Sequence, residues 1–214
     1  MFRIASLLIG YCLGLIQAAY IVGKLSGVDI REHGSKNAGF TNANRVLGAK
    51  KGIIVFLIDV AKAVAAYFIA TIVAYHFFGY SGGGTFFANQ YVMPGLYGAL
   101  GAILGHTFPF YMKFKGGKGV SCMLGLVIML DWRIMAIAFL LGLIAVVITR
   151  FISVGSLTVA ICIPILMVVF GYAIEGILLT SALFAFVCFL HRLNIKRLIA
   201  GQENKFSFSK KGTL

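Results

Sequence analysis

Residues 52–79 read GIIVFLIDVAKAVAAYFIATIVAYHFFG, and Asp59 and Lys62 are the only carboxylate or ammonium groups in the run. A helix rises ~1.5 Å per residue, so this stretch outlasts the ~30 Å hydrocarbon core of a bilayer. Asp59 and Lys62 stand three apart and share a helical face. An unpaired charge at membrane depth costs ~2.5–3.5 kcal/mol on the insertion scale, so the two are expected to neutralise each other inside a bundle. No second acidic residue lies nearby to extend them into a proton relay.

Apolar runs recur at 4–23, 92–112, 134–149, 154–173 and 175–190, with a shorter one at 119–130. Hydrophobic residues make up 60% of the 214 and charged residues 12%, at a mean hydropathy of +0.97. Soluble domains sit nearer half apolar and a quarter charged, so lipid is the expected solvent. Cys12, Cys122, Cys162 and Cys188 all fall inside apolar stretches and form no C-x-x-C, which predicts buried small hydrophobes. No spacing of His, Cys and carboxylates signals a metal, and no cofactor is expected.

Charge sets the topology. With seven crossings and the N-terminus outside, all of the 19 basic residues except Arg3, Lys62 and Arg133 fall on the cytoplasmic side. If 119–130 only dipped in and returned, the basic tail would lie outside. That short run therefore crosses, with Lys118 and its glycines at membrane depth facing a cavity. The net charge of +13 is thus accounted for by a bilayer, and nucleic acid is not implied. The expected fold is an all-α bundle of seven transmembrane helices with a cytoplasmic C-terminus, one polytopic domain over 1–214. Its cytoplasmic face comprises loops 24–51, 113–118 and 150–153 and the tail 191–214. Residues 1–19 lack a good small-x-small cleavage site and read as a retained helix. The loop at 80–91 carries no charge, and no internal repeat is visible.

Three basic stretches on that face can do chemistry. In the first, Gly34-Ser35-Lys36-Asn37-Ala38-Gly39 reads as a turn, and Thr41 is expected to cap a short helix ending at Gly48 that projects Arg45. Ser35, Asn37 and Arg45 offer hydroxyl, amide and guanidinium donors to an oxyanion. The second is Lys113-Phe114-Lys115-Gly116-Gly117-Lys118-Gly119, running straight into an apolar helix. Its glycines let backbone N–H groups approach a phosphate, and the helix start and Lys118 add positive charge. It is not a Walker A loop, because Gly119 stands where Ser or Thr is required. The third leaves the last apolar run as His191-Arg192-Leu193-Asn194-Ile195-Lys196-Arg197; on a continuing helix His191 and Asn194 share a face. His106, in Gly105-His106-Thr107-Phe108-Pro109, reads as a hydrogen-bonded structural group.

At these motifs the chain resembles the bacterial acyl-phosphate:glycerol-3-phosphate acyltransferases, the PlsY family, over nearly its whole length. The family patterns are G-S-x-N-x-G-x-T-N followed by arginine, then F-K-G-G-K-G-V, then H-R-x-N-I-x-R-L-x-x-G-x-E. Here they stand in order at 34–45, 114–120 and 191–203. Arg150-Phe151-Ile152-Ser153-Val154-Gly155-Ser156 is similar to the family's serine-bearing loop. Lys36 and Ala38 stand where the family usually has glycine and a small residue or proline.

The resemblance implies a multi-pass enzyme of the bacterial cell (inner) membrane, expected as a monomer. It would move a fatty acyl group from acyl phosphate to the 1-hydroxyl of glycerol 3-phosphate, giving lysophosphatidic acid. Ser35 and Arg45 would hold phosphate, with Gly34, Asn37, Thr41 and Asn42 completing that motif. Lys118 with Gly116, Gly117 and Gly119 would bind the phosphorylated substrates. Ser156, His191 and Asn194 would position glycerol phosphate, and Glu203 would tie down the tail. No histidine has an aspartate five residues on, so the H-x-x-x-x-D pair of coenzyme-A-dependent glycerolipid acyltransferases is missing. The main alternative is a transporter or flippase for a phosphorylated or lipid substrate, which the missing repeat leaves without support.

Overall fold

The computed structural model describes residues 1–82 and 93–206; most of the loop at 80–91 and the tail with Lys210 and Lys211 lie outside the described residues. Every regular element among the described residues is helical. The chain groups into two compact units, one of Met1–Met129 and one beginning at Leu130.

The first unit holds α1 (Phe2–Gly14), α2 (Ala18–Leu25), α3 (Phe40–Leu47), α4 (Ala49–Phe78), α5 (Met93–Thr107), a 3-10 turn (Phe110–Met112) and α6 (Val120–Leu130) at its boundary. Helix α5 is a seam of small residues. A Cβ on Gly10 of α1 would strike the backbone of Gly98 and Ala102, and one on Gly101 of α5 would come within 3.0 Å of Gly10 Cα. A Cβ on Gly98 would meet Ala66 O at 2.5 Å and Ala70 Cβ at 2.6 Å on α4. Lipid tails are as apolar as leucine, so helices in a bilayer gain from close backbone packing of this kind rather than from burying more hydrocarbon.

The run at 4–23 does not form one helix. It breaks at Leu15–Gln17, and distant side chains satisfy the carbonyls the break exposes. Tyr111 donates to Leu15 O at 2.6 Å and Lys62 to Ile16 O at 2.6 Å. Gln17, fully buried, donates to His106 O at 3.0 Å and lies 3.3 Å from both Gly14 O and Gly105 O. Irregular backbone is tolerated at membrane depth only with such partners.

The second unit holds α7 (Trp132–Thr149), α8 (Ile152–Val169), α9 (Ile174–Leu190) and α10 (Arg192–Ile199). Asp131 caps α7 through Arg133 N at 2.7 Å, and its carboxylate also takes the Arg133 guanidinium and Tyr172 Oη at 2.6 Å. Burial pushes the Asp131 carboxyl up, but these hydrogen bonds reverse the effect and hold it below the usual range. Gly142 and Gly155 let α7 and α8 pack closely; a Cβ on Gly155 would lie 2.8 Å from Gly142 O.

Among the described residues four helical stretches can cross a membrane by length and composition: Phe2–Leu25, Ala49–Phe78, Trp132–Thr149 and Ile152–Val169. Ile174–Leu190 with Arg192–Ile199 makes a fifth if that pair, bent by 60°, counts as one span. On α7, Val147 is 62% and Ile148 76% exposed, as expected of side chains whose solvent is lipid. The same solvent corrects the reading of the cysteines. Cys122 is buried, Cys162 and Cys188 are half-buried, and Cys12 is exposed.

Candidate active site

In the first unit the segment 30–39 is folded around Asn42. That residue is fully buried; its Oδ1 accepts from Ser35 N at 2.8 Å, and its Nδ2 donates to the carbonyls of Ile30 and His33, both at 3.0 Å. Asn42 therefore spends its amide on shaping the loop that presents Ser35, where the sequence reading had it on substrate. Ser35 and Arg45 are exposed, while Asn37 and Thr41 are half-buried. Helix α3 starts two residues earlier than expected, with extended Gly39 as its N-cap, so Thr41 lies inside the helix and is not its cap. Gly48 ends α3 at φ +86°, as its lack of a Cβ allows. Lys36 sits at φ +57°, a left-handed conformation that favours glycine.

Not all the basic residues of this region are available to an anion. Asp29 takes Arg31 in a two-point contact, at 3.0 and 2.7 Å, with Lys24 at 3.4 Å. The Arg31 hydrogen bond outweighs burial and holds the Asp29 carboxyl well below the usual range.

The glycine loop corrects the sequence reading more deeply. The chain leaves α5 at Thr107, turns through Lys113 and Phe114, both at positive φ, and comes back along its own helix end. Gly116 N donates to Thr107 O and Gly117 N to His106 O, both at 3.1 Å. These two amides cap α5 and are not donors to a phosphate. Their glycines are needed for space: a Cβ on Gly116 would strike His106 O, and one on Gly117 would strike His106 Nε2 and lie 2.7 Å from Ala38 O. The first and second motifs therefore meet at Gly117. Lys118 and the start of α6 come one step further on. Lys118 is half-buried, Gly119 (φ +73°) is the N-cap of α6, and the helix ladder begins with Met123 N to Gly119 O at 2.8 Å. The first-turn amides of Val120, Ser121 and Cys122 precede that ladder and carry the positive end of the helix.

Asp59, His106 and Cys122, from α4, α5 and α6, place potential ligand atoms within 4.8 Å of one another. No sequence spacing signals this cluster, since the three residues lie on separate helices. Lys62 supplies its cation: Nζ is 2.7 Å from Asp59 Oδ1 and 2.9 Å from His106 Nδ1.

In the second unit the third motif is not on a continuing helix. The chain bends at His191, which ends α9 and precedes α10. His191 and Asn194 are both buried. His191 Nδ1 lies 2.9 Å from Val187 O. A carbonyl only accepts, so Nδ1 carries a hydrogen there. Asn194 Nδ2 donates to Glu203 Oε1 at 2.6 Å, Ser153 Oγ to the same oxygen at 3.1 Å, and Arg197 Nε to Oε2 at 2.7 Å. Ser156 Oγ donates to Ile152 O at 2.9 Å. The expected tie between Glu203 and the nearby basic residues is present at Arg197, whereas the part played in this clasp by Asn194 and by Ser153, 50 residues before Glu203, was not anticipated.

The chain matches the glycerol-3-phosphate acyltransferase family model over residues 4–201. It belongs to that family. It is 39% identical over 207 residues to the glycerol-3-phosphate acyltransferase of Shouchella clausii (strain KSM-K16), covering 94% of this chain and 95% of that one. With that of Aquifex aeolicus (strain VF5) it shares 34% identity, over 92% and 95% of the two chains. Among solved structures it resembles PlsY, an integral membrane glycerol 3-phosphate acyltransferase. The TM-score is 0.82 to its glycerol 3-phosphate form, at 31% identity over 96% of both chains. To its lysophosphatidic acid form the TM-score is 0.80, at 30% identity.

Burial pushes the Glu203 carboxyl up, but its hydrogen bonds from Asn194 and Arg197 hold it below the usual range. A depressed carboxylate adds stability above its ordinary pKa, and the contribution is lost as pH falls through the folded value. Glu203→Gln is expected to cost about 1.5 kcal/mol or more, because Asn194 loses a charged acceptor. Thermal unfolding should show it, with a flatter loss of stability below about pH 4.5 than in the unmodified protein. Equal melting points at neutral pH would remove the clasp from the account.

Proposed function

We propose that the protein transfers a fatty acyl group from acyl phosphate to the 1-hydroxyl of glycerol 3-phosphate, releasing inorganic phosphate. The observation that carries this reading is the glycine loop that delivers Lys118 to the start of α6, in a chain of the glycerol-3-phosphate acyltransferase family. An acyl phosphate is a mixed anhydride and already activated, so no acyl-enzyme is needed. The carbonyl carbon loses its bond to the phosphate oxygen and gains one to the glycerol oxygen. The hydroxyl proton passes to His191 Nε2 or to the departing phosphate. Two phosphates must be held near each other, which calls for fixed cations and oriented amides: Lys118 and the first turn of α6, with Ser35 and Arg45. His191, Asn194 and Ser156 position glycerol phosphate.

In this reading the chain crosses the bacterial cell membrane seven times as a monomer, and α6 completes its crossing because its glycine loop lies at membrane depth. The fatty chain stays in the bilayer while the polar partner enters from the cytoplasm. A C-terminal reporter is then cytoplasmic and one in the loop at 80–91 external; a cytoplasmic signal from that loop would overturn the count. Donor choice is tested with purified protein and labelled glycerol 3-phosphate. Acyl phosphate should support turnover and acyl-coenzyme A at the same concentration should not. Equal rates would refute the donor assignment.

A further inference from the structure

Lys62 is a membrane-depth ammonium held from three directions. Its Nζ donates to Ile16 O at 2.6 Å, lies 2.9 Å from His106 Nδ1 and forms an ion pair with Asp59 Oδ1 at 2.7 Å. The lysine and aspartate side chains are at most 3% exposed. A buried ion pair is poor evidence for stability, since apolar side chains of similar volume often do as well. What this one supplies is direction, because each contact reaches a different element: the α1–α2 break, α4 and the end of α5.

The third contact leads to the candidate site. An ammonium cannot accept, so His106 Nδ1 accepts and the ring is held in one orientation. The far side of that ring, Nε2, lies against Gly117, and the His106 carbonyl takes Gly117 N–H at 3.1 Å. Gln17 holds the same carbonyl from the other side at 3.0 Å. Gly117 is thus fixed by both ends of His106, and Lys118 follows it directly. Ala38 O packs at the same spot, so this arrangement also sets the second loop against the first.

We propose that Lys62 and His106 are positioning residues: Lys62 fixes the His106 ring, His106 fixes Gly117, and the location of the Lys118 ammonium follows. The inference rests on the reading of Lys118 as a phosphate-binding group. It is tested in purified protein with His106→Ala and with Asp59→Asn/Lys62→Met, which removes both charges and strands neither. Lys118→Met is measured beside them, and rates are counted per monodisperse molecule.

Both variants should lose kcat by about 10- to 100-fold, the scale of a reacting group misplaced by ~1 Å. Product inhibition by inorganic phosphate should weaken with it, while KM for glycerol 3-phosphate stays within about twofold. Lower yield or melting temperature with unchanged kcat and unchanged phosphate inhibition would make the network merely structural and overturn the proposal. If Lys118→Met itself keeps normal turnover and phosphate inhibition, the phosphate-loop reading falls and this inference falls with it. If only Lys118→Met is impaired, that reading stands and this inference alone is wrong.

Discussion

Lys118→Met is expected to lower turnover by about 10²–10³, the loss seen when one preorganised donor to a developing charge is removed. The lysine sits between Gly117, which is pinned against His106, and Gly119, which caps α6. Its position is therefore set by backbone on both sides, and a methionine of similar length removes the charge without disturbing the loop. A lost ground-state contact alone would cost ~1.5–3 kcal/mol, about 10- to 150-fold in affinity. Lys113→Met is the control. Lys113 is exposed and lies in the turn before the glycines, so the substitution should change the rate little. Similar modest losses in both variants would reduce the cluster to an anchor for anionic lipid.

His191→Ala should cost about 10²-fold or more in kcat, the usual contribution of a positioned acid or base. The Nδ1 contact to Val187 O orients the ring, and in its neutral form it selects the tautomer whose Nε2 can take a hydroxyl proton. The same substitution removes one neutral hydrogen bond, about 1 kcal/mol of stability. Asn194→Ala behaves differently, because its amide is bound to the Glu203 carboxylate. It should lose stability as well as rate, by about 1–3 kcal/mol. Steady-state kinetics paired with thermal unfolding separates the two. Near-normal kcat in His191→Ala would remove it from proton transfer and leave that role to the leaving phosphate.

The helices were legible because lipid imposes long apolar runs, and the runs at 52–79 and 134–149 correspond closely to α4 and α7. The i, i+3 spacing likewise revealed the Asp59–Lys62 pair. The breaks were not legible. Nothing between Leu13 and Gln17 announces that the helix stops there, because the groups that stabilise the break, Lys62 and Tyr111, are 46 and 96 residues away from the carbonyls they bind. The bend at His191 was hidden in the same way, by a clasp that closes only when Ser153 and Glu203 arrive. The glycine loop shows a subtler limit. Its composition signalled a close approach, and the close approach is there, but Gly116 and Gly117 face the end of α5. Local sequence can show that a side chain is unwelcome without showing what fills the space.

The central claim is direct transfer between two phosphate-bearing substrates on one membrane face. Purified protein mixed with acyl phosphate and labelled glycerol 3-phosphate, sampled within the first turnovers, tests it most directly. Lysophosphatidic acid and inorganic phosphate should appear together, one for one, with no phosphate released when glycerol 3-phosphate is withheld. A burst of phosphate equal to the enzyme concentration in the absence of acceptor would mean an acyl-enzyme and contradict the account.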